Sequence, residues 1–279
     1  MHAGWNLLAR RQRSEATFFW RMQLPVVVVG LVPVAVSELL ARSIPPKAWA
    51  CVLGSGTCAG VYYYCLARGY GSSDFTVVYP AARSLPVLIV AFGDVLRGRQ
   101  PSPVGWVGML LVTAGCLLVP LRSLRDLRVR HYISKASLWI FLTALTIVCY
   151  TLLDKVASEA VKQGPATAAR YCYVFFAFSW VAYSIALRVL KVPAHESPGS
   201  VGWGSPLIAS LLNYFGYWLV LWAYQLAQRA SYILAFRQSS IVIGVVLAFL
   251  FFKEEGKVVR LLGTSLITAG LVLIAFWPG

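Results

Sequence analysis

Charge is what this chain has least of. Only 13% of its 279 residues are Asp, Glu, Lys or Arg, and 59% are hydrophobic. An ordinary soluble domain carries about a quarter charged residues. With a mean hydropathy of +0.70, the composition excludes that class and assigns the chain to a bilayer. Acid is scarcer still, with ten Asp and Glu against 25 Lys and Arg. The three histidines, His2, His131 and His195, stand far apart with no Asp-rich motif near them. An integral-membrane enzyme acting on a lipid substrate, one of the classes to be weighed, therefore lacks the constellation such chemistry needs. The six cysteines (Cys51, Cys58, Cys65, Cys116, Cys149 and Cys172) include no CxxC pair and all lie in apolar stretches. Neither a disulfide framework nor a zinc site follows, and no metal or cofactor is expected. Cys51, Cys58 and Cys65 recur at sevens, the spacing of a small-residue packing seam on one helical face.

The formal charge of +15 is large enough to suggest a nucleic-acid partner. However, 21 of the 25 basic residues flank apolar stretches rather than forming a basic face, so the charge reads as membrane anchoring. Met1 leads directly into HAGWNLLARRQR, and no cleavable signal sequence is expected.

What is present is length and repetition. Apolar runs able to cross a hydrocarbon core fall at 18–40, 48–68, 75–96, 103–121, 136–157, 167–190, 203–226, 231–252 and 258–277, predicting nine full spans. The breaks between them carry prolines and charges, as in Ser43 to Lys47, Gln100 to Pro103 and Lys191 to Ser200. Residues Gly108 to Val119 (GMLLVTAGCLLV) and Gly263 to Ile274 (GTSLITAGLVLI) agree at six of twelve positions at an offset of 155. The chain is therefore read as two copies of one unit, 1–121 and 136–279, joined by a basic linker at 122–135. The same offset superposes Arg83 on Gln238, Ser84 on Ser239 and Arg99 on Glu254.

The span at Ala136 to Ala157 should have a partner at the start of the chain. WNLLAR at Trp5 to Arg10 matches YTLLDK at Tyr150 to Lys155, but the dozen or so residues before Tyr150 have no counterpart before Trp5. The first helix is thus expected as a stub, too short for a core of about 30 Å. With it completed, each copy has five helices. An odd number turns the copies over relative to each other, giving all-α integral membrane architecture of two inverted five-helix repeats and a substrate site near the midplane. The connections after helices one, three, five, seven and nine carry fourteen Lys and Arg against seven in the others, which puts the first set in the cytoplasm. Five of those fourteen belong to the linker alone.

Four basic residues lie within apolar runs. Arg21 and Arg170 are near helix ends and are expected to snorkel. Arg83 and Arg237 sit deeper, after the polar entrances Gly71 to Asp74 and Gln228 to Ser231, and read as facing a cavity where two guanidiniums suit an anionic group. The competing reading pairs each with a buried carboxylate or carbonyl to hold helices together. Tyr79 lies one turn before Arg83, and Gln238, Ser239 and Ser240 follow Arg237. Asn213, Tyr217 and Tyr224 share a helical face, and with Tyr150 they are candidate cavity lining, with ordinary packing as the alternative for each. Gly108, Gly115, Gly263 and Gly270 are expected to let helices pack closely. Glu38, Asp94, Asp154 and Glu254 map to the ends of spans, where solvated anchoring or helix-end pairing is expected, so no proton site is read from them.

HAGWNLLAR at the start, YPAARSLP at Tyr79 to Pro86, YTLLDK at Tyr150 to Lys155 and the stretch FRQSSIVIGVVLAFLFFKEEGKVVRLLGTSLITAGLVLI together resemble the EamA-type transporters of the drug/metabolite transporter superfamily. The resemblance covers essentially the whole chain. It implies ten helices in two inverted repeats, a central cavity, and export or exchange of small metabolites such as amino acids. It also implies both termini in the cytoplasm, opposite to the charge count. Glu254 matches the turn glutamate of that family, where the first copy has Arg99. The function expected is a secondary transporter of small polar, anionic or zwitterionic metabolites in the plasma (inner) membrane, with the lipid bilayer and a metabolite as its partners. A non-transporting membrane scaffold or sensor is the alternative.

Overall fold

The computed structural model describes residues 15–70, 75–119, 121, 135–190, 202–251 and 257–277. The expected stub at Trp5 to Arg10, most of the basic linker and the turn at Glu254 lie outside the described residues. Among those residues every regular element is a helix. In chain order these are α1 (Glu15–Ala41), α2 (Pro46–Tyr70), α3 (Phe75–Leu96), α4 (Pro103–Leu118) and α5 (Lys135–Ala160), then α6 (Pro165–Val189), α7 (Gly204–Leu226), α8 (Ala230–Phe236), α9 (Ser239–Phe251) and α10 (Lys257–Phe276).

Among the described residues six helical stretches, one each in α1, α2, α5, α6, α7 and α10, are long and apolar enough to cross a membrane. The chain is a multi-pass integral membrane protein. α1 shows why. Its 27 residues extend about 40 Å, and Val29, Val32, Leu39 and Leu40 are each more than two-thirds exposed. Such a continuous apolar face is stable against lipid, not water. Of the other three expected spans, α3 forms a 22-residue helix. Pro103–Leu118 and Ala230–Val246 are shorter apolar stretches.

The expected continuous span at 231–252 is interrupted. α8 ends at Phe236 and α9 begins at Ser239. Across the break the backbone tightens to i→i−3 bonds, from Gln238 N–H to Ala235 O (2.9 Å) and from Ile241 N–H to Gln238 O (2.8 Å). A short tightened stretch of this kind kinks a helix without proline.

The chain falls into two compact units. One is built from Met1–Gly71 and Cys149–Ala227, the other from Ser72–Val148 and Gln228–Gly279, so each takes helices from both sequence halves. In the first unit α2 packs along α6, and α1 packs on α6 and α7. In the second, α4 packs along α10, with α3 against α4 and α8. Its core holds Val112, Cys116, Val119, Val245 and Ile267. α4 starts at Ser102, whose hydroxyl accepts the Gly105 N–H (3.0 Å) ahead of Pro103 in the first turn.

The α4–α10 crossing depends on the four glycines singled out in the sequence. A Cβ on Gly108 would come within 2.8 Å of the Gly270 carbonyl, and one on Gly263 within 2.9 Å of the Gly115 carbonyl. The contacts are reciprocal, since a Cβ on Gly270 would strike the Gly108 carbonyl and one on Gly115 the Gly263 carbonyl. Any larger residue here would force the backbones apart.

Candidate functional site

Each unit holds its own buried polar cluster. In the second unit the cluster lies at the break between α8 and α9. Gln238, 1% exposed, donates from its amide to the main-chain carbonyl of Arg83 (3.0 Å) and to that of Leu234 (3.3 Å). The side chain thereby occupies a carbonyl at the distorted end of α8 and ties it to α3. Arg83 is itself buried, three residues before Pro86, which has no N–H to continue the α3 ladder. Arg237 is half-buried at the end of α8, and its carbonyl accepts the Ser240 hydroxyl (2.9 Å). Arg83, Arg237 and Gln238 are thus brought into one unit. Tyr79 lies on α3, and its side chain is outside the described residues.

Asp94, near the end of α3, is fully buried. It accepts the N–H groups of Ala230 (3.2 Å) and Ser231 (2.9 Å) and the Ser231 hydroxyl (2.7 Å), and pairs with Arg97 at 3.5 Å. The expected helix-end pairing is what it does, because a carboxylate at the first turn of α8 satisfies N–H groups that have no partner within that helix. The expected polar entrance at Gln228 to Ser231 is, at its Ser231 end, consumed in this cap.

In the first unit Tyr150, Tyr217 and Asn213 are all buried. Tyr150 packs edge-on against Tyr62, Phe175 and Tyr217, with ring centres 6.0–6.1 Å apart. Tyr217 also stacks on Phe175 at 4.5 Å, and Asn213 donates to the Tyr63 hydroxyl (2.7 Å). One turn after Tyr150 stands Asp154, 1% exposed rather than solvated at a helix end. Its carboxylate accepts the Tyr171 hydroxyl (2.8 Å) and, in a short contact, the Tyr217 hydroxyl. A small, mostly apolar cleft lined by Asp154, Ser158, Val161, Ala168, Tyr171, Leu221 and Gln225 adjoins it. Sequence reading missed this cluster, because Tyr171 and Tyr217 lie 17 and 63 residues away. The available signal was a carboxylate within the 20-residue apolar stretch Phe141–Ala160.

One other expectation changes. Arg170 does not snorkel to solvent. Its guanidinium pairs with Glu38 at 3.1 Å and donates to Ser37 (3.0 Å), Ser43 (2.9 Å) and Thr167 (3.3 Å). Lys155, 2% exposed, donates to the carbonyls of Tyr224 (2.8 Å) and Ala227 (2.7 Å), closing the C-terminal end of α7. Among the described residues no group of three or more His, Cys, Asp or Glu could hold a metal ion.

The sequence model of the EamA-like transporter family matches residues 1–121 and 134–276, nearly the whole chain in two stretches. The chain belongs to the EamA-like transporter family. This EamA-like protein is thereby a membrane transporter of the drug/metabolite type, and its partners are a small-molecule substrate and the bilayer. Among functionally curated proteins, none matches it. Residues 122–133 separate the two matched stretches.

Proposed function

We propose that this EamA-like transporter is a secondary transporter of small polar metabolites, amino acids or related anionic or zwitterionic compounds, working as an efflux carrier or exchanger in the plasma membrane. The observation that carries the reading is that the family match falls separately on both halves, 1–121 and 134–276. In the proposal these are two inverted five-helix repeats that rock about a midplane cavity. The reciprocal glycine crossing supports it, since Gly108 meets Gly270 and Gly115 meets Gly263 while the 155-residue offset relates Gly108 to Gly263 and Gly115 to Gly270. Arg83 and Arg237 bind the negative group, because guanidiniums in an apolar span recognise carboxylate in two-point geometry. Tyr79 and Gln238 in one unit, and Asn213, Tyr217 and Tyr150 in the other, are the further residues proposed to bind substrate.

The test is counterflow in liposomes holding the purified full chain, loaded in turn with amino acids, organic acids and neutral polyols. Accumulation of labelled anionic or zwitterionic solutes, blocked by excess unlabelled solute, is the expected result. Transport confined to cationic or apolar solutes would remove the role given to the arginines. Failure to move any of these solutes would leave no metabolite-transport reading.

A further inference from the structure

Cys58 lies in the middle of α2, one turn after Gly54 and one turn before Tyr62, so the three positions share a helical face. That face looks at α5. A Cβ on Gly54 would lie 3.1 Å from the Leu153 side chain, and the rings of Tyr62 and Tyr150 meet edge-on with centres 6.1 Å apart. On α5, Cys149 stands one turn before Leu153 and next to Tyr150. The two thiols therefore fall between two contacts of the same pair of helices, and there they hydrogen-bond to each other. Both are free and half-buried, and both belong to the first unit. The seam at Cys51, Cys58 and Cys65 accounts for neither the pairing nor Cys149.

We infer that Cys58 and Cys149 form a binding site for a soft divalent metal ion of the mercuric type, which clips α2 to α5. Sulfur donors select soft ions over magnesium, calcium and manganese. Among the described residues no third His, Cys, Asp or Glu joins the pair to hold a metal. Structural zinc and iron–sulfur clusters, which take about four protein ligands, are thereby poorly matched. What fits is an ion satisfied by two sulfurs in line. Charge then chooses among such ions. Binding forms two metal–sulfur bonds and breaks two S–H bonds, the protons leave to water, and no oxidation state changes. A divalent ion with two thiolates is neutral, whereas Cu(I) or Ag(I) leaves a net negative charge, which is costly in an apolar span. Oxidation to a disulfide suits the site less, because it starts from a thiolate that apolar surroundings disfavour, while a coordinating metal removes the thiol proton itself. Metal binding does not rest on the transport reading. Its consequence does: Cys149 adjoins Tyr150, so the clip holds a residue proposed to bind substrate against α2 and stops transport.

The experiment exposes the reduced, purified full chain in lipid nanodiscs to mercuric chloride in the presence of excess 2-mercaptoethanol, a monothiol that strips metal from single cysteines but not from a two-sulfur clip. Native mass spectrometry should show a gain of one mercuric ion and a loss of two protons, and X-ray absorption should show two sulfur neighbours. Cys58→Ser and Cys149→Ser should each lose the retained metal. If either variant does not fold, alkylation of the folded parent makes the same assignment, since bound metal should withhold Cys58 and Cys149 together from iodoacetamide. Metal retained in both variants, alkylation of either cysteine while metal is bound, or a loss of two hydrogens with no metal gained overturns the site. Retention of Ag(I) but not of the mercuric ion overturns the charge argument. In liposomes the mercuric ion should stop counterflow by the parent, a dithiol chelator should restore it, and the double variant should be spared. Equal inhibition of both proteins removes the clip as the cause. Metal binding by a protein that moves no solute leaves the site standing and defeats the transport reading.

Discussion

Gln238 and Arg83 stand 155 residues apart, and the Gln238 side-chain amide donates to the Arg83 main-chain carbonyl at 3.0 Å. The spacing equals the offset at which Gly108–Val119 aligns with Gly263–Ile274, so two positions that this offset aligns touch each other. The same amide holds the Leu234 carbonyl at the α8–α9 break. Gln238→Leu keeps the bulk but removes both bonds, leaving buried carbonyls short of a donor, and is expected to cost about 1–3 kcal/mol. Thermal melting in detergent should show a lower midpoint than in the parent protein. An unchanged midpoint would mean that the bond contributes nothing to the fold.

Arg83 and Arg237 carry guanidiniums within apolar spans. If they bind the substrate's negative group, Arg83→Ala and Arg237→Ala should abolish transport of anionic solutes and leave a folded, extractable protein. Lysine keeps the charge but not the planar fork, so Arg83→Lys should raise KM by about 10-fold with kcat less affected. Loss of folding equal to the loss of transport would assign the arginines to helix packing instead.

Much of this was readable in advance, and the exceptions share a cause. Arg83 was read from a charge deep in an apolar run, and the repeat offset set it opposite Gln238 and related the four glycines to one another, because an internal copy is a comparison the sequence makes with itself. The interruption at Arg237 and Gln238 was marked only by RQSS within an apolar run, with no proline to signal it. Asp154 was placed at a helix end because its position along the chain is near one, whereas its environment is set by Tyr171 and Tyr217 on other helices. Arg170 was likewise read from its distance to a helix end, although Glu38, 132 residues earlier in the sequence, supplies its counter-charge. Burial and pairing between distant segments are three-dimensional facts that periodicity does not encode.

The Glu38–Arg170 pair offers a direct measure of that difference. Both side chains are mostly buried, 14% and 13% exposed, at 3.1 Å. Glu38→Gln and Arg170→Gln should each destabilise the protein, and the double variant should lose less than the sum, with a coupling of about 1–3 kcal/mol. Chemical denaturation in mixed micelles supplies the four values. Additive losses would show two independently solvated charges.

The glycine crossing separates close packing from helix propensity. A methyl group at Gly108 or Gly270 points at the carbonyl of the partner helix, backbone that cannot rotate away, so Gly108→Ala and Gly270→Ala force α4 and α10 apart. Each should cost about 1–3 kcal/mol by overpacking. Gly244 on α9 is the control, because a Cβ there meets nothing within 4 Å. Gly244→Ala relieves the entropic cost of a mid-helix glycine and should stabilise by about 0.5–1 kcal/mol. Opposite shifts in melting temperature therefore follow from the same substitution at different positions. A loss at Gly244 matching that at Gly270 would mean that general helix disturbance, not the α4–α10 approach, sets the cost.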